Sequence, residues 1–433
     1  MKRIWFTAAL IGALLAVPLL VRAGNESAVT YKALSFFGDA YQLIRDNYVE
    51  PVNDEKLVAG ALNGMLSSLD PHSSYMDPET YREMQVETKG EFGGLGMEVS
   101  LKDGLIEIVS PIDDTPASQA GLKAGDVILR IDGEAVLGLN LSQAVEKLRG
   151  PENSTVKLTI RRGSQAPFEV RLTRKVIKAK PIHDQLYGKI GYIRIALFSE
   201  QTQKGVELAL ERLQRQAGGR LQGLLLDLRD DPGGLLDQAV VVGGDFLSSG
   251  EIVSTRGRRA QDDQRYYAHG GDLAKGVPMV VLINGGTASA SEIVAGALRD
   301  NHRAVVMGTR SFGKGTVQTI IPIEGRGAIR LTTARYYTPS GKSIQDVGIE
   351  PDVVVHASKA DEAKEAQQLR ESDLPRALKN PDAPPPAAAE RSAVSPGKTA
   401  ETGAPAAAGE DYQLAQALDY LRGQAAQKRG KTP

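Results

Sequence analysis

The chain predicts an α+β multidomain fold: a helical amino-terminal region, a β-rich middle domain, an α/β core, then a linker and a carboxy-terminal helix. Three observations predict it. Apolar residues recur at helical spacing before residue 85, short β-type runs punctuated by Gly fill residues 90–175, and strand-like runs alternate with helical ones over 176–356. The length of 433 residues suits two to four domains.

The amino terminus comes first in order. Lys2 and Arg3 precede an apolar run from Ile4 to Val21, with Arg22 and Ala23 before Gly24. A positive start, an apolar stretch and a small residue form the order of a signal peptide over residues 1–23, cleaved after Ala23. The run also reaches the roughly 17 residues that a membrane span needs, so an amino-terminal membrane anchor is the alternative. Either way the bulk of the chain is expected to be exported, to the periplasm or cell envelope, and membrane-proximal if the segment stays uncleaved.

Composition narrows the chemistry. A net charge of -1 offers no basic excess for nucleic acid. The chain has no cysteine, which excludes disulfides, thiolate nucleophiles, cysteine-bound zinc and a lipid anchor on cysteine. The five histidines form no His-Glu-x-x-His motif. No metal or organic cofactor is called for.

Residues 28–85 form the helical region. Leu34, Phe37, Tyr41, Ile44 and Tyr48 share one helix face, Leu57, Ala61, Leu62 and Met65 another over Asp54–Leu66, and Leu69–Tyr75 reads as a turn before a short helix through Met84. Such one-sided helices either pack on the main body or meet another subunit, and the sequence leaves both open.

Residues 90–175 carry Gly94-Leu95-Gly96-Met97, Asp114-Thr115-Pro116-Ala117 and Gly121-Leu122-Lys123-Ala124-Gly125-Asp126-Val127-Ile128, followed by a helix over Leu141–Leu148 and a strand over Val156–Arg161. These phrases resemble a PDZ domain, a β-sandwich-like module that binds chain ends by strand addition. The resemblance implies that Leu95, Gly96 and Met97 offer N–H groups to a terminal carboxylate. It also implies that Leu141 faces the ligand's side chains, which favours protein substrates with apolar C-termini.

In residues 176–356, strands are expected over Gly223–Leu228, Val277–Ile283 and Ala304–Met307, with helices over Leu235–Leu247 and Ser289–Arg299. Residues 250–275 look like an inserted surface element. Ser289 stands at a helix start after a small-residue loop, a placement that exposes a hydroxyl and aims backbone N–H groups at it. The same Ser289 with Glu292 is also a capping-box pattern, and Ser291 is a rival nucleophile. Lys314 lies between Gly313 and Gly315; a lysine becomes a general base once burial lowers its pKa. Gln318, four residues on in a strand, would share its face and orient the amine without adding charge. Paired glycines after Pro232 can turn N–H groups toward an oxyanion.

Asp227-Leu228-Arg229…Pro232-Gly233-Gly234, Thr287-Ala288-Ser289-Ala290-Ser291-Glu292 and Phe312-Gly313-Lys314-Gly315…Gln318, in this order after a PDZ domain, resemble the C-terminal processing peptidases, or tail-specific proteases. The resemblance covers about residues 28–356 and implies a ClpP/crotonase-like core. It implies an exported serine endopeptidase that recognises protein C-termini and cleaves upstream, processing or degrading cell-envelope proteins. Ser289 would be the nucleophile, Lys314 the base and Gln318 its orienting partner, with Gly233 or Gly234 and Ala290 forming the oxyanion hole and the PDZ domain gating the site. Asp231 stands where many relatives carry Asn; the loop's backbone role is expected to survive that change. The rivals are a Ser-His hydrolase using His302 or His269, and a non-catalytic scaffold that only binds tails.

Beyond His356 the core pattern ends. Residues 357–409 read as a linker, rich in Ala and Pro and disordered from about 379. Within 410–428, Leu414, Ala417, Leu418 and Leu421 form an amphipathic face, expected to dock on a partner or a second copy. A homo-oligomer built through the terminal helices follows, and an adaptor protein is a further candidate partner.

Overall fold

The computed structural model describes residues 29–102, 105–111, 115–137, 141–178, 181–357, 370–382 and 411–429. The expected signal segment and residues 358–369 and 383–409 of the expected linker lie outside them. Among the described residues no helix is long and apolar enough to cross a membrane. The chain divides into two compact units, one through Met65 and one from Leu66.

The first unit contains helix α1 (29–47) and most of α2 (Asp54–Ser67). Asn53 starts α2 by accepting the Lys56 N–H on its side-chain oxygen at 2.9 Å, an N-cap satisfying a donor that the helix leaves over. Of the predicted apolar face, Leu34, Phe37, Ile44 and Tyr48 are exposed and Tyr41 is half-buried.

In the second unit, β1 (Ser74–Met76) and α3 (Pro78–Thr88) lead to a two-stranded ribbon of β2 (Glu91–Gly94) and β9 (Lys175–Lys178). Between those two strands lies the PDZ fold. Its strands β3 (Met97–Lys102), β4 (Leu105–Pro111), β5 (Asp126–Ile131), β7 (Thr155–Arg162) and β8 (Phe168–Thr173) lie in that order, with β6 (Glu134–Ala135) on β5. Alternation drives it: Val156, Leu158 and Ile160 of β7 point inward with Ile106, Ile108 and Ile128. Helices α4 (Pro116–Gln119) and α5 (Leu141–Leu148) complete the domain, α5 turning Ala144 and Leu148 into the same core. Strand β3 is left at the sheet edge.

The protease-like core is built on a six-stranded sheet, β10 (Ile182–Tyr187), β11 (Ile190–Ile195), β12 (Gly223–Asp227), β15 (Met279–Ile283), β16 (Val305–Gly308) and β19 (Val353–Val354). Every pair is parallel except β10–β11. Strands β12 and β15 are buried at every residue, as parallel strands covered on both faces require. One face packs on α6 (Thr202–Gln216), α7 (Leu236–Asp245) and α8 (Ala290–Asp300).

The other face is covered by α9 (Tyr412–Arg429), whose Ala417, Leu418 and Leu421 pack on Ile190, Leu225, Val280, Leu282 and Met307. The stripe expected to dock on a partner is thus filled by the chain's own sheet. Burying it intramolecularly avoids the entropy cost of bringing two chains together.

A second sheet has β18 (Ala328–Tyr337) at its centre, pairing with β17 (Thr316–Pro322), β1 and β13 (Glu251–Gly257), which carries β14 (Gln264–Tyr267). Residues 250–275 are therefore more than a surface element, since Ile252, Val253, Ser254 and Thr255 are buried. Order also extends past the expected start of disorder at 379: Asn380 N donates to Asp346 and Ser343 N to Asp382.

Candidate active site

Three adjacent parallel strands, β12, β15 and β16, release their carboxyl ends into one region, the usual place for a site in an open α/β sheet. From β12 comes the loop Leu228–Gly234, from β15 the loop Asn284–Ser289, from β16 the segment Thr309–Gly315. Side chains lace these loops together. Thr287 Oγ1 donates to Leu228 O at 2.7 Å, Asn284 Nδ2 to Asp230 Oδ1 at 2.8 Å, and Ala288 N to Asp231 O at 2.9 Å.

Ser289 ends the second loop with φ +57° and ψ −115°. This is a conformation that an L-residue holds only when its surroundings impose it. Here the imposing group is Glu292, fully buried one turn into α8. Its Oε2 accepts Ser289 N (2.8 Å) and Lys314 N (2.9 Å), and its Oε1 accepts Gly313 N (2.8 Å) and the Ser311 hydroxyl (2.5 Å). One carboxyl thus joins the backbone of the expected nucleophile to that of the expected base. Burial pushes it up to about 7, against the four donors, which favour the charged form.

Lys314 is mostly buried, and desolvation holds its amine below the ordinary 10.5. Glu371, Glu292 and Asp70 oppose that shift, and Arg330 adds to it. The cage around it is specific. Glu371, fully buried, receives His72 Nε2 at 2.9 Å and Gln345 Nε2 at 3.1 Å, and Gln345 Oε1 receives Gly315 N at 2.9 Å. Residues 370–382 therefore form a strap beside the base, pinned by Arg370 Nη1 to Ser311 O at 3.2 Å.

Tyr336 completes the surroundings of Ser289. Burial pushes its ionisation up against an opposing influence of the Ser289 side chain, so the phenol stays neutral. Tyr336 N also donates to Gly315 O at 2.8 Å.

The expected pairing of Gln318 with Lys314 is not among the described hydrogen bonds. Gln318 Nε2 donates to Thr316 Oγ1 (2.9 Å) and Thr332 Oγ1 (3.3 Å). The same-face argument does not apply, because Lys314 precedes β17 and strand alternation does not reach it.

On the side expected to hold the oxyanion, Gly233 (φ +96°) lies directly against Ser289. A Cβ placed on it would stand 2.6 Å from Ala288 O, 2.8 Å from Ala290 N and 2.9 Å from Ser289 Cβ, so no other residue fits there. The N–H groups of Gly234 and Ala290 find no acceptor among the described residues, whereas Gly233 N donates to Asp231 Oδ1 at 2.9 Å.

The rival residues are placed elsewhere. Ser291 is fully buried and donates to Asp231 O. His302 lies past the far end of α8, a helix about 16 Å long at ~1.5 Å per residue, and lines a separate surface cavity. His269 is exposed beyond β14. In the PDZ domain, Leu95 is buried, and Gly96 (φ +73°) leaves room for Thr115, whose hydroxyl donates to Gly96 O at 2.8 Å. Met97 opens the edge strand β3 and Leu141 opens α5; the Leu141 side chain lies outside the described set.

A serine at a strained turn, a buried lysine and free N–H groups behind a PDZ domain define a hydrolase of the serine class. Comparison with known proteins places it more narrowly. Residues 189–355 match peptidase family S41, residues 107–162 a PDZ domain, and residues 18–80 the activating protease CtpB N-terminal domain. The chain is 52% identical over 360 residues to the carboxy-terminal-processing protease of Bartonella bacilliformis, covering 82% of each. It is 38% identical over 349 residues to the carboxy-terminal processing protease CtpB of Bacillus subtilis, 78% of this chain and 71% of that one. Among solved structures, a photosystem II D1 C-terminal processing protease is 29% identical, covering 79% of this chain and 98% of its own, with a TM-score of 0.46. The chain belongs to peptidase family S41, the carboxy-terminal processing serine proteases.

Glu292 was visible in the sequence only as a helix cap, and Tyr336 and Glu371 gave no signal, being distant strand and linker residues. Glu292→Gln sets an amide NH2 against backbone N–H donors that need an acceptor. It is expected to cost about 1–3 kcal/mol of stability and to lower kcat more than it raises KM. Denaturant unfolding and peptide hydrolysis measure the two; full kcat in the variant would show that the carboxyl does not hold the site.

Proposed function

We propose that the protein is an exported endopeptidase in which Ser289 attacks a peptide carbonyl while Lys314, neutral, takes its proton. Lys314 passes that proton to the leaving amine as the acyl-enzyme forms, then takes a proton from the water that hydrolyses it and returns one to Ser289. Ser291 and the distant His302 drop out as actors. The observation that carries the reading is the shared Glu292 carboxyl, which ties Ser289 N and Lys314 N to one oxygen. Gly234 and Ala290 N–H groups serve the oxyanion, with Gly233 N–H joining once released from Asp231. Gln318 reaches the amine through its carbonyl oxygen, since its amide nitrogen already faces Thr316 and Thr332.

Substrates arrive by their carboxyl termini. Edge strand β3 offers the backbone for strand addition, and the loop Leu95–Met97 offers N–H groups for the carboxylate. Apolar tails of cell-envelope proteins are the proposed substrates. Cleavage of the leader after Ala23 would leave Gly24 first. Mass spectrometry of protein recovered from the envelope of an expressing bacterium should read a chain beginning at Gly24; an intact Met1 start would favour the anchor.

Lys314→Gln and Ser289→Ala are each expected to lower hydrolysis of an unfolded protein by about 10²–10⁴-fold. In the wild type, deprotonation of Lys314 should give the pH profile a rising limb whose midpoint lies below the range of an ordinary lysine amine. Retained activity in Lys314→Gln would refute the lysine mechanism. A wild type that binds apolar tails but cuts nothing, even with envelope extract supplied as a source of adaptor, would favour a scaffold.

A further inference from the structure

Asp231 sits in the oxyanion loop, fully buried, with a side chain that the scheme above leaves unused. Its backbone is fixed independently, Asp231 O accepting Ala288 N at 2.9 Å and the Ser291 hydroxyl at 3.1 Å. The side chain does something narrower. Oδ1 holds the N–H of Gly233, the residue wedged against Ser289 and Ala290, at 2.9 Å, while Oδ2 is buried with no hydrogen-bond partner.

An ionised carboxylate only accepts hydrogen bonds, and leaving one of its oxygens dry carries the cost of burying charge. The neutral acid suits the site better, since Oδ1 can accept from Gly233 while Oδ2 carries the proton. Burial pushes this carboxyl up to about 7, with the Gly233 N–H, the Ser291 hydroxyl and the Arg194 charge pulling the other way. The charged groups around it are Arg194 from β11 and, in its own loop, Arg229 and Asp230. Arg229 is engaged by Asp227 and Asp411, Asp230 by Asn284. From α8 the facing group is the Ser291 hydroxyl.

Building on the Ser289–Lys314 reading, we propose that Asp231 is a positioning residue of the oxyanion hole that acts through Gly233, competent when neutral and obstructive when ionised. Ionisation makes Oδ1 a stronger acceptor, so it holds the Gly233 N–H away from substrate. It also sets a negative charge one hydrogen bond from the donor that would meet the oxygen gaining charge in the tetrahedral state. Two titrations then oppose each other: Lys314 must lose its proton and Asp231 must keep its own. Activity rises with pH through the first and falls through the second, near 7 and above.

The test compares the full chain and its Asp231→Asn variant for casein hydrolysis between pH 5 and 9.5, with Ser289→Ala as the blank. The ratio of variant to wild-type kcat/KM is expected to climb about tenfold from pH 6 to 9, a fraction of the 10²–10³ lost with a whole oxyanion donor. A ratio independent of pH overturns the proposal, whether the variant is uniformly weak or uniformly active.

Thermal unfolding over the same range reads the titration without substrate. A carboxyl raised from 3.8 to about 7 by folding contributes stability that is fully present below 3.8 and lost as pH rises through 7. The Tm advantage of Asp231→Asn should therefore grow from pH 4 to 7 and then level off. Should the wild type cleave casein at no pH, the Ser289–Lys314 mechanism fails by that result. The thermal curves then decide whether Asp231 titrates: growth supports it, and a flat difference overturns it.

Discussion

Everything around Ser289 depends on a carboxyl group that is fully buried. Glu292 gathers three backbone N–H groups and one hydroxyl, and burial of such a group is tolerable only with partners of this number and kind. Charge-assisted bonds of this type are about twice as strong as neutral ones. They hold the left-handed Ser289 backbone in place and fix how far the Lys314 peptide can move. The helix cap and the catalytic placement are therefore one structure, read at two scales.

Around that group the fold supplies the rest by simple topology. Parallel strands β12, β15 and β16 deliver the oxyanion loop, the serine loop and the lysine segment to one edge of the sheet. Burial lowers the pKa of the Lys314 amine, while Glu371 from the strap 370–382 limits how far. On the opposite sheet face, α9 is tied to the oxyanion strand. Arg229 bridges Asp227 and Asp411, and these hydrogen bonds outweigh its own burial to hold it charged. The end of the chain thus braces the strand from which the Gly233–Gly234 turn departs.

Much of this was legible in the residues. Strands with every position apolar, such as Leu224-Leu225-Leu226, announce a doubly covered sheet, and the small-residue loop before Ser289 announces a tight turn into a helix. What stayed hidden depended on tertiary contact. The stripe Ala417, Leu418, Leu421 shows that something covers it but not what, because an apolar face is the same whether a partner or the chain's own sheet meets it. A shared face for Lys314 and Gln318 could not be read from alternation, which holds only within a strand, and β17 begins after Lys314. Glu371 lies beyond a linker-like stretch whose composition signals no core, so its place beside Lys314 could come only from the fold. Asp231 showed a departure from the family pattern, but that it takes the Gly233 N–H needed coordinates.

The central claim is that burial lowers the pKa of the Lys314 amine, the proposed base for Ser289. Its titration can be followed directly by NMR on protein labelled with 15Nζ-lysine, using Lys314→Arg to assign the resonance. The account predicts a midpoint below the ordinary 10.5 of a lysine amine, set by desolvation. A Lys314 resonance that titrates at or above that ordinary value would contradict it.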